Sequence, residues 1–428
     1  MGKRKKPLRW LRLDNAAKIY PAARRRNWSN LFRLSATLAE PVDKDVLQSA
    51  LDVTVKRFPS LCARLRKGMF WYYLQELDRA PKLSEEYSFP LVPMSREEVS
   101  RCAFRVIVYE NRIAVEIFHS LTDGNGALVF LKTLTAEYLQ QKYHIHIPNT
   151  CGILDRTEEP SEEELEDSFQ KYAGKLSASR KERTAWHLSG TAEPGGRTHV
   201  TCLHFSSTQM LEKAHTYGVT ATAYLTAVLM DALQQMQQEA ISNQKKRKPI
   251  RILIPVNLRK IFPSKTLRNF ALYTTPEILP QLGEYSMEEI CAAVKHQMGL
   301  EINAKQMSMK IAVNVESERP FLIRLMPLFI KNAVMKAVFN TVGEVKSCLT
   351  LSNLGAVQIP EEMKPYISRI DFILGVQAAA PQNCGVVSYG DTVYVNFIRN
   401  IKEPKLEYHF CQCLRRQGID VMAESNGI

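Results

Sequence analysis

Apolar positions along the chain recur with two periods. Behind Asp43, whose carboxylate suits a helix N-terminus, Val46, Leu47, Leu51 and Val55 fall three and four residues apart and predict one helical face. Met69 to Leu74 reads as an aromatic strand. Cys102 to Tyr109 and Ile113 to Phe118 alternate as strands, and Glu110-Asn111-Arg112 between them predicts a hairpin. The second strand runs directly into His119. Asp123-Gly124-Asn125-Gly126 then has turn composition, and Leu128, Leu131, Leu134 and Tyr138 form the stripe of a following helix. His119 is therefore expected at a strand-to-helix junction, where side chains can face a cleft.

The second half repeats the style of the first. Strands are expected at Thr198 to Phe205, Ile250 to Val256, Phe270 to Thr274, Ser347 to Leu351 and Ile370 to Val376, and a hairpin at Cys384 to Ser388 and Thr392 to Phe397 over Tyr389-Gly390-Asp391. Helices are expected from near Ser207, from Thr220 through Leu233, and around Tyr408, Cys411 and Leu414, the last closing the fold. Between the halves lies an acidic run from Glu158 to Asp167, ending near Gly195-Gly196, which reads as a charged helical connector. The expected organisation is a basic arm (1–30), an N-terminal lobe (31–154), the connector (155–197) and a C-terminal lobe (198–428). No short sequence period is present, which excludes solenoids.

Composition adds compartment and partners. At 428 residues, with 45% hydrophobic and 24% charged positions, the chain can bury two or three cores and is not a disordered sequence. The net charge of +13 is concentrated, since residues 1–30 hold ten Lys or Arg against Asp14 alone. Such an arm can meet an anionic membrane surface, an acidic carrier protein or the phosphates of a cofactor, or can remain simply solvated. Nucleic acid is disfavoured because no groove-binding motif or zinc-finger spacing accompanies the charge. Nine scattered cysteines without a C-x-x-C pair read as reduced, mostly buried thiols of a cytoplasmic protein. Charged residues recur through Arg12, so the N-terminus does not read as a signal peptide. The longest apolar stretch, Phe321 to Phe339, is broken by Arg324, Lys331, Asn332 and Lys336; it reads as a covering helix or as an interfacial one that would place the protein peripherally at a membrane.

The chemistry concentrates in Phe118-His119-Ser120-Leu121-Thr122-Asp123-Gly124. An imidazole takes up a proton near neutral pH, and at a strand end facing a cleft it can deprotonate an incoming hydroxyl or fill an ordinary structural role. Asp123 can hold the turn by pairing with a cation. The remaining histidines have no spacing for a metal, and none is expected.

Five elements in a fixed order resemble the chloramphenicol acetyltransferase and condensation-domain superfamily, with alcohol acetyltransferase-like and wax-ester synthase-like proteins as the nearest relatives. They are Lys56 to Leu65 with its Pro59-Ser60-Leu61 turn, the H-x-x-x-D-G of His119 to Gly124, Gly218-Val219-Thr220, Pro255-Val256-Asn257-Leu258-Arg259 with Asn269-Phe270, and Ser352-Asn353-Leu354-Gly355. Three departures stand out: Phe118 replaces the first histidine of double-histidine relatives, the D-F-G-W-G element is reduced to Asp371-Phe372-Ile373-Leu374-Gly375, and Arg268 precedes Asn269 where many relatives have glycine. The resemblance implies an α/β (α+β) fold of two similar lobes, each a mixed sheet backed by helices, with a tunnel between them. It implies an acyltransferase in which His119 is the general base, Asp123 is a brace paired with Arg259, and Ser352 or Asn353 contacts the oxyanion or thioester, although both could instead serve a turn. Gly124 and Asn269 would lie along the substrates. The donor would be acyl-CoA, acting as co-substrate with no tightly bound cofactor, and the acceptor a small alcohol or amine. A carrier-protein thioester as donor, or a non-catalytic binding member of the fold, are the alternatives.

Overall fold

The computed structural model describes residues 8–23, 30–174, 184–317, 320, 323, 325–338, 346–377 and 380–426. Its framework is two mixed sheets backed by helices, with a small third sheet beside them. The first sheet runs in the order Ile367–Leu374, Leu31–Leu38, Arg112–Phe118, Phe104–Tyr109, Ser84–Glu85. Its central hairpin pairs Tyr109 with Arg112 and Phe104 with Ile117, so the turn is the two residues Glu110-Asn111 and Arg112, expected in the turn, already belongs to the strand. Its outer strand Ile367–Leu374 arrives from the far end of the chain and pairs antiparallel with Leu31–Leu38. The larger sheet has eight strands among the described residues and is built around Ile250–Asn257, Leu349–Ala356, Gln382–Tyr389, Thr392–Arg399 and His199–Ser206. Leu349–Ala356 lies parallel to both of its neighbours, and the Gln382–Tyr389/Thr392–Arg399 hairpin pairs antiparallel.

Local chemistry accounts for the helices. Asp43 Oδ1 accepts from the amides of Asp45 and Val46 and starts Lys44–Thr54, whose Leu47, Ala50, Leu51 and Thr54 are buried at helical spacing. Asp123 does the same for Gly124–Tyr143, a helix buried on most of its circumference between the first sheet and the helix Lys44–Thr54. Thr220 caps Ala221–Ala240, the corresponding buried helix of the second core. The two sheets meet where Phe372 of Ile367–Leu374 approaches Gly385: a Cβ there would lie 2.3 Å from the Phe372 carbonyl oxygen, so only glycine permits this contact.

Several elements differ from their sequence expectation. Gly68 donates to the Trp71 carbonyl and makes a turn, so the aromatic strand begins later, at Tyr72–Glu76. The C-terminal helix Lys405–Arg416 does not end the fold, because Met422–Ser425 follows and pairs with Thr201–His204. Among its described residues the connector, expected to be helical, holds the short helices Glu162–Leu165 and Ser168–Tyr172 and is otherwise largely irregular. Of the stretch Phe321 to Phe339, Leu328–Val338 is helical and Phe321, Arg324 and Phe339 lie outside the described residues. No described helix is long and apolar enough to cross a membrane.

Candidate active site

His119 follows the last residue of Arg112–Phe118, and the loop it opens is pinned on three sides. The His119 amide donates to the Asn30 carbonyl at 2.9 Å, Ser120 Oγ to the Ala17 carbonyl at 3.1 Å, and Thr122 Oγ1 to the Leu267 carbonyl at 2.5 Å. Gly126 makes the last contact possible, since a Cβ on it would stand 2.2 Å from Thr122 Oγ1 and 2.3 Å from the Leu267 oxygen. The loop is thus held in place by contacts from three separate segments of the chain.

The half-buried imidazole lies between aromatic rings. Tyr20 stacks on it at 4.4 Å and 14°, and Phe32 meets it edge-on at 5.0 Å. Its Nδ1 faces Asn269 Oδ1 at 3.1 Å. Burial lowers the His119 pKa below its ordinary range, against the opposing pull of the Asp123 carboxylate, Asn269 and the carbonyls of His119 and Thr122. The neutral ring, the form able to accept a proton, is therefore favoured at pH 7.

Asp123 is committed to structure. Its Oδ1 accepts from the Gly126 amide at 3.1 Å, and its Oδ2 accepts from the Phe270 amide at 2.9 Å and from Arg259 Nη1 at 2.7 Å. Arg259 also donates from Nε to the Thr266 carbonyl at 2.9 Å and from Nη2 to the Arg268 carbonyl. The sequence elements around His119, Arg259 and Asn269 are thereby clamped together by one carboxylate.

The other sequence candidates separate. Asn269 engages both ends of its amide, with Oδ1 on His119 and Nδ2 on Asp14 Oδ2 at 3.2 Å, so it supports the imidazole. Asn353 donates to Thr222 Oγ1 at 3.1 Å and accepts from the Gly355 amide at 2.8 Å, whereas the half-buried Ser352 hydroxyl makes no hydrogen bond among the described residues. The room that Gly124 frees is taken by protein: its Cβ would meet Leu354 Cδ2 at 2.8 Å, which brings the Ser352-Asn353-Leu354 strand against the start of the histidine motif's helix.

Sequence reasoning missed two residues of the basic arm. Tyr20 supplies the stacking ring, and Asp14, fully buried, supplies the carboxylate behind Asn269. Burial raises the Asp14 pKa to about 6, with Arg268 opposing and Asp167 reinforcing the rise. The signal available in sequence was that Asp14 is the one acid among ten cations. A cavity of about 920 Å³ adjoins this region, lined by Pro21, Ala22, Phe118, Arg66, Arg96 and Lys336 among others. A second, of about 580 Å³, lies apart from these residues, between Leu91 and Pro93 of the first half and Thr198, Gly375 and Asn400 of the second.

No family model matches the sequence, and no curated protein matches it. Solved structures do. F. sporotrichioides TRI101 complexed with coenzyme A and T-2 is 10% identical with a TM-score of 0.62, over 97% of this chain and 100% of that one. The first condensation domain of the calcium-dependent antibiotic synthetase, in complex with a substrate analogue, is 12% identical with a TM-score of 0.63, over 96% and 95%. The wax ester synthase/diacylglycerol acyltransferase from Marinobacter aquaeolei VT8 is 14% identical with a TM-score of 0.56, over 95% and 100%. Over nearly its whole length, the chain therefore has the two-lobed fold of the chloramphenicol acetyltransferase-like acyltransferases and condensation domains.

Proposed function

We propose that the protein transfers an acyl group from a thioester, acyl-CoA, to the hydroxyl or amine of a small acceptor, with His119 as general base. The observation that carries this is the state of the imidazole: stacked on Tyr20, hydrogen-bonded through Nδ1 to Asn269, kept neutral by burial, and still partly exposed. Nε2 takes the acceptor's proton as its oxygen or nitrogen attacks the thioester carbonyl carbon. The tetrahedral intermediate then expels the CoA sulfur, which recovers that proton from His119, so no acyl-enzyme forms. Ser352 is the better oxyanion donor of the two sequence candidates, because its hydroxyl makes no hydrogen bond among the described residues while the Asn353 amide already serves Thr222 and Gly355. Asp123 and Arg259 hold the loop and take no part in proton transfer.

Coenzyme A is the donor of first choice because TRI101, which shares the fold, is complexed with it. The condensation-domain likeness favours a carrier-protein thioester as second choice, reached by the same chemistry. The 1–30, 31–154, 155–197 and 198–428 division, the tunnel and a cytoplasmic location belong to this proposal. The test is to incubate the purified protein with acetyl- and longer acyl-CoAs and a panel of alcohols and amines while following free thiol. Acceptor-dependent release that disappears in a folded His119→Ala variant supports the assignment; release that persists there removes the base, and turnover with carrier thioesters alone removes CoA.

A further inference from the structure

The basic arm carries one carboxylate, and it is placed behind the catalytic imidazole. Asp14 Oδ1 accepts from the Ala17 amide at 2.8 Å, its Oδ2 accepts from Asn269 Nδ2 at 3.2 Å, and Arg268 Nη2 stands 3.7 Å away. An ionised carboxylate only accepts hydrogen bonds, so Asn269 must turn its NH₂ end toward Asp14. Its oxygen is then left facing His119 Nδ1 at 3.1 Å. An acceptor in that place requires the proton of the neutral ring to sit on Nδ1, which leaves the lone pair on Nε2.

We propose, resting on His119 as the base, that Asp14 is a positioning residue that selects the Nδ1–H tautomer of His119 through Asn269. Without the carboxylate the NH₂ end of Asn269 loses its hydrogen-bond partner, and the preference for turning the oxygen toward His119 weakens. A half-turn about its terminal bond presents NH₂ to Nδ1, and the ring proton moves to Nε2, where it blocks uptake of the acceptor's proton. Tyr20 comes from the same arm and fixes the ring plane, with its own carbonyl held by Asn30 Nδ2 at 2.8 Å. The arm thus supplies both the orientation of the imidazole and its protonation pattern.

The experiment uses full-length protein with ¹⁵N-labelled histidine at pH 8, above the Asp14 value of about 6. Long-range ¹H–¹⁵N spectra, with His119 assigned by its absence from a His119→Gln protein, report the tautomer without any substrate. In the wild type Nδ1 carries the proton. In Asp14→Asn and Asp14→Ala the Nε2–H form appears, and kcat falls about 10- to 100-fold with KM nearly unchanged, as for loss of an orienting partner acting through an intermediate. Asn269→Ala should match them, and adding Asp14→Asn to it should cost little more. An unchanged Nδ1–H tautomer in the near-isosteric Asp14→Asn overturns the proposal, and so does wild-type kcat alongside a shifted tautomer. If His119→Gln keeps full transferase activity, the base assignment fails instead, while the spectra still decide what Asp14 does to the ring.

Discussion

Asp123→Ala removes three interactions at once, and their sizes separate a brace from a proton carrier. Arg259 loses its partner while its side chain is only 10% exposed, and an abandoned buried charge of this kind costs about 3–5 kcal/mol. The Phe270 amide, also buried, loses its acceptor at about 1–3 kcal/mol, and the helix Gly124–Tyr143 loses its cap at about 1 kcal/mol. The losses share one carboxylate and overlap, so about 5 kcal/mol is expected. An unfolding entropy near 2.1 cal/mol/K per residue amounts to roughly 0.9 kcal/mol/K over a cooperatively unfolding chain of this length, so the melting temperature should fall by about 5 °C. Asp123→Asn keeps an oxygen for the cap or for Phe270 and should lose about half as much. Calorimetry with parallel transferase assays reads both: each variant's activity should follow its folded fraction. An Asp123→Ala protein with the wild-type melting temperature and no activity would show that the carboxylate acts in the chemistry and that the brace is wrong.

The two glycines of the motif should respond unequally: Gly126→Ala drives a methyl into Thr122 Oγ1 and the Leu267 carbonyl and should cost about 3 kcal/mol or more, whereas Gly124→Ala meets only the movable end of Leu354 and should cost under about 1 kcal/mol, as denaturant titration can check. Because burial depresses the His119 pKa in the fold, protonation favours the unfolded chain. Its stability contribution is full above the unfolded value near 6.5 and is lost as pH falls through the lower folded value; kcat/KM should fall below that folded value, and His119→Gln should flatten the stability profile in the range just below about pH 6.5. Ser352→Ala should lower kcat about 10²-fold with unchanged melting, while Asn353→Ala, which frees Thr222 and Gly355, should act mainly on stability; the reverse pattern would move the oxyanion contact to Asn353.

Much of the architecture was legible because most strands have one covered face or a strong turn. The Phe104–Tyr109/Arg112–Phe118 hairpin and the Asp43- and Thr220-capped helices follow from period and capping chemistry alone. Leu31–Leu38 was not read because both its faces are covered, which erases alternation, and because Arg33 looks like a surface residue until Glu86 and Glu116 are seen beside it. Met422–Ser425 was missed for the opposite reason, being exposed throughout and held by backbone pairing. In the site, the Asp123–Arg259 pair was nameable from motif order. Asp14 was not, since a carboxylate 105 positions before the histidine declares itself only when the chain folds back on it.

The strand Ile367–Leu374 has a consequence for biosynthesis. The edge of Leu31–Leu38 that it covers stays open until residue 374 leaves the ribosome, some 336 residues after Leu38. At translation rates of about 5–20 residues per second that interval is roughly 17–70 s, during which an apolar strand offers unpaired amides and carbonyls to any passing chain. The nascent protein has reason to engage chaperones over this window, and a fragment cut between the halves would carry the histidine on a sheet with a permanently sticky border.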